Sequence, residues 1–590
     1  MSDFIFSNQP IQEGKLAKNL ASIYHENSPK IHEYHGMWGS LAVSENLYYG
    51  YQPYESNEHI CVVLGGPLLY FSDVSFIKEK SDRTSGTKAI YKRWLSGEMN
   101  WDEDLSGPFA ICIINKQSHE ALFVTDLMSF IPLYQYKDID NVVISSHSDA
   151  LAKSTNQVNK IDIVSRIDFI LHGVITYPYT VYKNIQQMAP ASEHHFISNK
   201  NEIVQKSYWQ PIEKPYPHSI SQAAKDLRKA ITTDINKVIS QTKNIAQFIS
   251  GGEDSRTISS LLSSIPNRDA FIFLDQMNRE GKVAEKAAKA YGAKFRLSTR
   301  DRLHYLNIIP DCSDLIGEGA QYFHAHTFGF HKKCNLEQYD AVFGGLFSDA
   351  LLKGARIKKV RGSTRFPFIP QIKNTMYSPA KLIKNDLIKE GILEELNYRR
   401  KAHYEYVKSI RPTTAEEWFE LWPSSMNMNI PNLHANRRLF RSYEPFMSKE
   451  IVKISAIVPQ KWKMNRRLFH KFAKPYLKQT KWLLHSEGKL PYASWYINVP
   501  ILFFFWVGQE IGKKIGLIKG NQGPWASWDT LLNSKEWLEL LQKYSHMETK
   551  VLDGILVDDI HTFYNSNRLT YIQRINLMQT LYYEYKSNKS

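Results

Sequence analysis

The sequence predicts a mixed α/β chain (α+β overall) in two parts: an antiparallel β-sandwich, then a parallel sheet that passes into a helical stretch. Three observations predict it. Short Val-, Ile-, Phe- and Tyr-rich runs fill the first 200 residues, a proline cluster follows, and the period of the apolar residues then changes. The early runs are HICVVLGGPLLYF (59–71), GPFAICIINK (107–116), EALFVTD (120–126) and NVVISSHSD (141–149), each bounded by turn residues, as stacked antiparallel sheets require. Pro211, Pro215 and Pro217 stiffen a linker. Beyond it Ala224, Leu227, Ile231, Ile235 and Val238 fall on one face of a helix. Next come a strand over Ile245–Ile249, a glycine turn, a helix from Arg256 and a strand over Ala270–Leu274. A helix over 280–291 ended by Gly292 and a strand over Lys294–Leu297 complete the alternation, which implies a parallel sheet covered on both faces. Amphipathic segments at 379–411, 448–457 and 465–480 make the rest helical. The expected domains are 1–210 and 211–590.

Composition excludes several classes. With 43% hydrophobic and 23% charged residues in 590, the chain is neither disordered, collagen-like nor mucin-like. Its 74 Lys+Arg against 59 Asp+Glu give a formal charge of +15. That favours an acidic partner: a nucleotide, an acidic peptide, an anionic glycan or a membrane surface, although a surface kept basic for solubility gives the same count. The aromatic residues are not interleaved with Lys/Arg clusters, so no nucleic acid is expected. Cys61, Cys112, Cys312 and Cys334 form no C-x-x-C pair, which fits a reducing compartment. MSDFIFSNQP shows no secretory signal, and the apolar run Val499–Val507 is half of the roughly 20 residues a spanning helix needs. No transmembrane segment is expected, and the expected location is cytoplasmic. The run itself is expected to cap a core or dock a partner.

The chemistry is concentrated in Ser250-Gly251-Gly252-Glu253-Asp254-Ser255-Arg256, directly after a strand. A helix N-terminus at a strand's carboxyl end offers free N–H groups to an anion, two glycines let the backbone approach it, and Ser250 and Ser255 add hydroxyls. Asp254 belongs there once Mg²⁺ bridges it to phosphate oxygens. An N-capped turn gives the same local pattern.

The wider sequence resembles the asparagine synthetase B family. SGGEDSR is similar to its pyrophosphatase loop, and Gly344-Gly345-Leu346-Phe347-Ser348-Asp349, after the strand Ala341-Val342-Phe343, is similar to the turn that carries a second Mg²⁺ aspartate. NRRLFRSYEPF (436–446) and WKMNRRLFHKFAKPYL (462–477) look like its helical half. The resemblance implies ATP and Mg²⁺ as cofactors. It implies Asp254 and Asp349 as metal ligands, and Phe248, Ile249, Ser250, Gly251, Gly252, Asp254, Ser255, Leu274 and Gly345 as ATP-binding. The second part would then be an ATP pyrophosphatase-type synthetase domain. The first resembles a class II, Ntn-type glutaminase domain through LSGPFA (105–110), Thr125-Asp126, Pro132-Leu133-Tyr134 and SSHSDAL (145–151).

Departures from the family pattern are equally legible. The chain begins Met1-Ser2 with no cysteine before Cys61, and Gly65-Gly66-Pro67 replaces the turn that holds glutamine. A serine hydroxyl lacks the thiolate character of the family's nucleophile, so no glutaminase is expected. Glu253 puts a carboxylate beside phosphates, which repels unless it turns away or joins the metal. Leu346 removes any base at its position, and Glu444 is the candidate substitute, although a carboxylate at a helix start reads equally well. Lys481 and Lys489 are the candidates for the cation at the transition state, and spacing does not choose between them. His324, His326 and His331 invite a metal, H-x-H on a strand placing both rings on one face, but no further ligand completes a set, and a pocket lining or core role is the default.

Relatives lacking the glutaminase include β-lactam and carbapenam synthetases and lasso peptide cyclases. The resemblance therefore implies a ligase that adenylates a carboxylate substrate, releases pyrophosphate and couples the acid to an amine that does not come from glutamine. Intramolecular closure of a peptide macrolactam is the leading form, with a precursor peptide and its maturation protease as partners. Ammonia-dependent amidation of a small or glycan-linked acid, and a non-catalytic nucleotide-binding scaffold, are the alternatives.

Overall fold

Every residue of strand His59–Gly65 is buried, as is every residue of Gly39–Ser44 and Ala121–Thr125. A bare sandwich would leave alternate side chains in water, so further layers must cover it. The computed structural model describes residues 2–25, 29–71, 83–357, 386–423, 429–516, 522–546, 549–557 and 559–589. Within it, one six-stranded antiparallel sheet runs Ile185–Gln187, Tyr134–Lys137, Val142–Ser145, Phe4–Ser7, Gly39–Ser44, Ile31–Gly36. The other runs Glu202–Ser207, Ser192–Ile197, Ala121–Thr125, Phe109–Asn115, His59–Gly65, Tyr54–Glu55. They face each other over Phe4, Phe6, Leu41, Val62, Leu64, Cys112 and Phe123. Helix Ser85–Leu95 covers Cys61, Val63, Ile111 and Ile113 on one outer face with Ile90 and Tyr91. Helices Lys15–Ala21 and Ser148–Ser154 cover Ile5, Ala42 and Val143 on the other. The expected sandwich is present, enclosed between helices that the sequence did not announce.

After the prolines, helix Ile220–Ile239 is capped by Ser219 and buries all five residues of the predicted stripe. The five-stranded parallel sheet has the order Lys294–Thr299, Asp269–Leu274, Ile245–Phe248, Ala341–Phe343, Ser442–Tyr443. The chain enters at Ile245–Phe248, builds outward on one side, then returns to add the other two strands. The crevice between Ile245–Phe248 and Ala341–Phe343 is therefore the topological switch point, where open α/β sheets bind ligands.

Three helical expectations change. The helix after the glycine turn starts at Glu253 rather than Arg256. Of the segment 379–411, residues 379–385 lie outside the described residues, and the helix spans Glu390–Ile410. The segment 465–480 is broken, because Asn465 and Arg466 take left-handed backbone angles (φ 53° and 61°) before helix Arg467–Ala473. The apolar run 499–507 lies in helix Trp495–Lys514, of which only Val499 and Gly512 are buried. No helix among the described residues is long and apolar enough to cross a membrane. All four cysteines are free thiols.

The two halves share polar contacts buried between them. Asp3 accepts from Arg437 and Arg438 at 2.9 and 2.8 Å, and these guanidiniums hold its carboxyl well below the usual range although burial opposes it. Arg166 pairs with Glu318 at 2.8 Å and with Glu584 of the last helix, Tyr571–Ser587. That helix completes a core to which Ile5, Ile167 and Tyr305 also belong.

Candidate functional site

Two turns leave the carboxyl ends of the strands that flank the switch point. The first carries Ser250 to Asp254. Its shape is fixed from beneath: the Ser255 hydroxyl accepts from the Ser250 N–H at 3.0 Å, and Gly251 donates its N–H to Glu280 at 2.5 Å. Arg256, buried, donates to the carbonyls of Gly251, Leu483 and Leu484 at 2.8–3.0 Å, tying the loop to the segment that carries Lys489. The second turn, Gly344 to Asp349, needs two local features. A Cβ on Gly344 would overlap the Glu444 carboxylate. Phe347 sits at φ 71°, strained for a non-glycine residue, with its ring buried edge-on to Phe130. Gly345 then passes the Cβ of Asp254 closely enough for the turns to meet.

Asp254 and Asp349 converge on the ammonium of Lys353, which lies 2.7 Å from Asp349 and also pairs with Asp254. Burial pushes the Asp254 carboxyl up to about 6 against the pull of Lys353, whereas Lys353 holds the more exposed Asp349 below its usual value. Lys353 is itself carried above the ordinary lysine value, the two aspartates overcoming burial. Two carboxylates that already share one cation fit Mg²⁺, which takes one or two protein carboxylates and completes its shell with phosphate and water. The Glu253 carboxylate is compensated within the protein: it pairs with Arg466 and lies 3.6 Å from Lys353. The left-handed turn at Asn465-Arg466 belongs to the segment that presents this guanidinium.

Two cavities open here. One, of about 480 Å³, is lined by Ser250, Gly252, Glu253, Asp254, Arg279, Asp349, Lys353, Arg466, His485 and Lys489. Burial and then Arg466 lower the Lys489 ammonium, and burial followed by Lys489 drives His485 down to about 3. The other, of about 290 Å³, is apolar: Phe248, Ile249, Phe271, Phe273, Gly345 and Leu346, with Arg300, His326, Trp525 and Glu444 also lining it. Asn278 and Arg300 hold the backbone of Gly523 and Pro524, closing the segment Gln522–Trp525 over it. Both cavities reach Pro524.

Most of the residues expected at the site are here. Ser250, Gly252, Asp254, Asp349 and Lys489 line the polar cavity, and Phe248, Ile249 and Gly345 line the apolar one. Gly251 and Ser255 shape the loop from within. Leu274 lines neither: fully buried, it packs with Ile249, Ala270 and Ala284, because a leucine on the inner face of a strand satisfies the core first. Lys481 is exposed, with its ammonium 5.5 Å over the Trp482 ring, and reaches neither cavity. The histidines form no metal set: His324 ends a short 3-10 turn rather than a strand, His326 lines the apolar cavity against Trp525, and His331 is buried. No group of three or more His, Cys, Asp or Glu among the described residues could hold a metal ion. Sequence reasoning missed Lys353, Arg466, His485, Arg279 and Trp525. Only Lys353 carried a signal, its spacing of four from Asp349.

Glu444 joins the site to the first domain. Its carboxylate accepts from the Leu346 N–H and the Ser442 hydroxyl, both at 3.0 Å, and burial pushes it up to about 7. It lines the apolar cavity and also a third one, bounded by Tyr48, Gly65, Gly66, Ser106, Asp234 and Arg437. At the far end of that third cavity, Ser2 is buried and its hydroxyl accepts from the Gly65 N–H at 3.1 Å, while Arg437 donates to its carbonyl. Asp126 is structural: its carboxylate accepts from the N–H groups of Phe109, Met128, Phe130 and Ile131 at 3.0–3.2 Å.

A family model described as a glutamine amidotransferase domain matches residues 38–209. The chain is 24% identical over 305 residues to asparagine synthetase [glutamine-hydrolyzing] 1 of Bacillus subtilis, covering 49% of this chain and 48% of that one. It is 23% identical over 207 residues to a putative asparagine synthetase [glutamine-hydrolyzing] 2 of Methanocaldococcus jannaschii, covering 34% and 39%. The chain thus spans half or less of the curated relatives it matches. Among solved structures, the allosteric regulatory enzyme of purine biosynthesis aligns over 51% of this chain and 80% of that one, at 10% identity and a TM-score of 0.24.

Proposed function

We propose that this chain, a member of the asparagine synthetase family, is an ATP-dependent carbon–nitrogen ligase that adenylates a carboxylate and couples it to an amine not taken from glutamine. The observation that carries the reading is the meeting of Asp254 and Asp349 on one cation, at the switch point, between a polar and an apolar cavity. The apolar cavity suits a nucleoside and the polar one a triphosphate. Ser250, Gly252 and the N-terminus of helix Glu253–Leu261 offer donors to the phosphates, and Lys489, Arg466 and Arg279 offer positive charge. Bound Mg²⁺ would neutralise phosphate charge between the two aspartates. Glu444, near 7, is suited to take the proton of an incoming amine.

The reading of the amine source is supported at the other end of the third cavity. Ser2 replaces a thiol, and Gly65-Gly66-Pro67 offers no side chain to hold glutamine. We favour ring closure within one substrate, such as a peptide macrolactam. A second reading, amidation of a small or glycan-linked acid by free ammonia, is favoured by the cavity that still runs from Ser106 to Glu444. The scaffold reading is disfavoured by the paired aspartates and the inward Lys489.

The test is ATP–pyrophosphate exchange with Mg²⁺ and a panel of acids, including peptides with Asp or Glu side chains. Asp254→Ala and Asp349→Ala should each lower exchange about a thousandfold or more, with a folded protein by circular dichroism. Exchange retained in either variant would remove the metal assignment, and release of ADP instead of AMP would remove the adenylation.

A further inference from the structure

Among the described residues, helix Trp495–Lys514 is held mainly along one side. Asn498 braces the Leu490 backbone at 2.7 and 2.9 Å. Phe505 packs on Gly488 and under the Arg279 guanidinium at 5.1 Å, and Val499 and Gly512 are buried. On the outward side Tyr496, Pro500, Phe504, Gly508, Ile511 and Ile515 follow one another at steps of three or four residues, so they form one stripe about 30 Å long. It is entirely uncharged, and Tyr496, Phe504, Ile511 and Ile515 are 63%, 71%, 54% and 63% exposed. Scattered exposed apolar residues need no explanation, but a continuous stripe of this length does.

We propose that this stripe is a membrane-surface contact, lying in the interfacial layer of an anionic bilayer. The argument from charge selects that occupant. The last turn exposes Lys513 and Lys514, and the helix has a single acid, half-buried Glu510, which is 3.4 Å from Lys513. A second copy of this chain would bring the same formal +15 against itself, whereas anionic headgroups answer both the lysine pair and the net charge. Aromatic composition agrees: Trp495, Tyr496 and Trp506 are the residue types that settle at the headgroup level. Because no described helix can span a bilayer, the contact is parallel to the surface, as for an interfacial helix. The inward Phe505–Arg279 contact sets the polar cavity directly behind it, so an acid attached to lipid would meet the site from this side. The proposal stands whether or not the ligase reading does.

The experiment is vesicle flotation of the full chain with phosphatidylcholine alone and with phosphatidylglycerol added, at low and high salt. Binding should require phosphatidylglycerol, weaken with salt, and fall roughly tenfold or more in Phe504→Glu/Ile511→Glu with an unchanged melting temperature. Lys513→Glu/Lys514→Glu, on exposed side chains, should lose the phosphatidylglycerol preference. A chain that stays in solution with both vesicles overturns the proposal, as does flotation that neither double variant alters. A dimer dissolved by Phe504→Glu/Ile511→Glu in the absence of vesicle binding would assign the stripe to a second copy instead.

Discussion

Lys481 and Lys489 are equivalent in the sequence and opposite in the structure, and the difference is one of neighbours. Lys489 pairs with Glu487 at 2.8 Å and lines the polar cavity with Asp349, Arg466 and His485; Lys481 stacks over Trp482 in solvent. Lys489→Ala should reduce turnover about a hundredfold in steady-state assays, while Lys481→Ala should stay within about twofold. Glu444 supplies a prediction about pH. Its ordinary value is 4.5 and burial takes it to about 7, so the native state prefers the protonated carboxyl. The stability associated with this preference is fully present below 4.5 and is lost as pH rises through 7, amounting to about 3 kcal/mol at most. Glu444→Gln cannot ionise. Denaturant titrations should therefore show the variant gaining on the parent from pH 5 to pH 8, and a constant difference would refute the buried, neutral Glu444.

At the scale of elements, the periodic segments were legible and the coupling between segments was not. The stripe from Ala224 to Val238 is one helix, and the strands at Ile245, Ala270, Lys294 and Ala341 pair in parallel. Local period fixes these because each buries its own apolar face. The convergence of the Ser250–Asp254 turn with Asp349 was legible for a related reason: both turns follow neighbouring strands of the parallel sheet. Arg466 was not readable, since two consecutive non-glycine residues with left-handed angles contradict local preference and are held by packing distant in sequence. Leu274 was misplaced because a strand's end does not announce which face its last residue takes. The turn Gly65-Gly66-Pro67, read under the proposed function as unable to hold glutamine, gives an element-scale prediction. Incubated with glutamine, ATP and its acid, the protein should release no glutamate, and Ser2→Ala should change nothing. Glutamate release that disappears in Ser2→Ala would restore a working first domain.

Across the whole molecule, the two halves are one cooperative object despite their separate sheets. Asp3 between Arg437 and Arg438, and Arg166 between Glu318 and Glu584, place charged partners from both halves in sites closed to water. Removing one partner leaves an uncompensated buried charge, at a cost of about 3–5 kcal/mol. Asp3→Ala should lower the melting temperature of the whole chain, and calorimetry should show one transition rather than two. A separate melting of residues below 210 would contradict this.

The Arg166–Glu584 pair spans 418 residues of sequence, and that distance is also a delay. At roughly 5–20 residues per second of synthesis, the guanidinium waits on the order of 20–80 seconds for its carboxylate to leave the ribosome. Throughout that interval helix Ile163–His172, which carries Arg166, has no final helix against it, and its apolar residues remain available to other nascent chains. The first domain is thus made before the second and finished only when the last helix reaches Arg166.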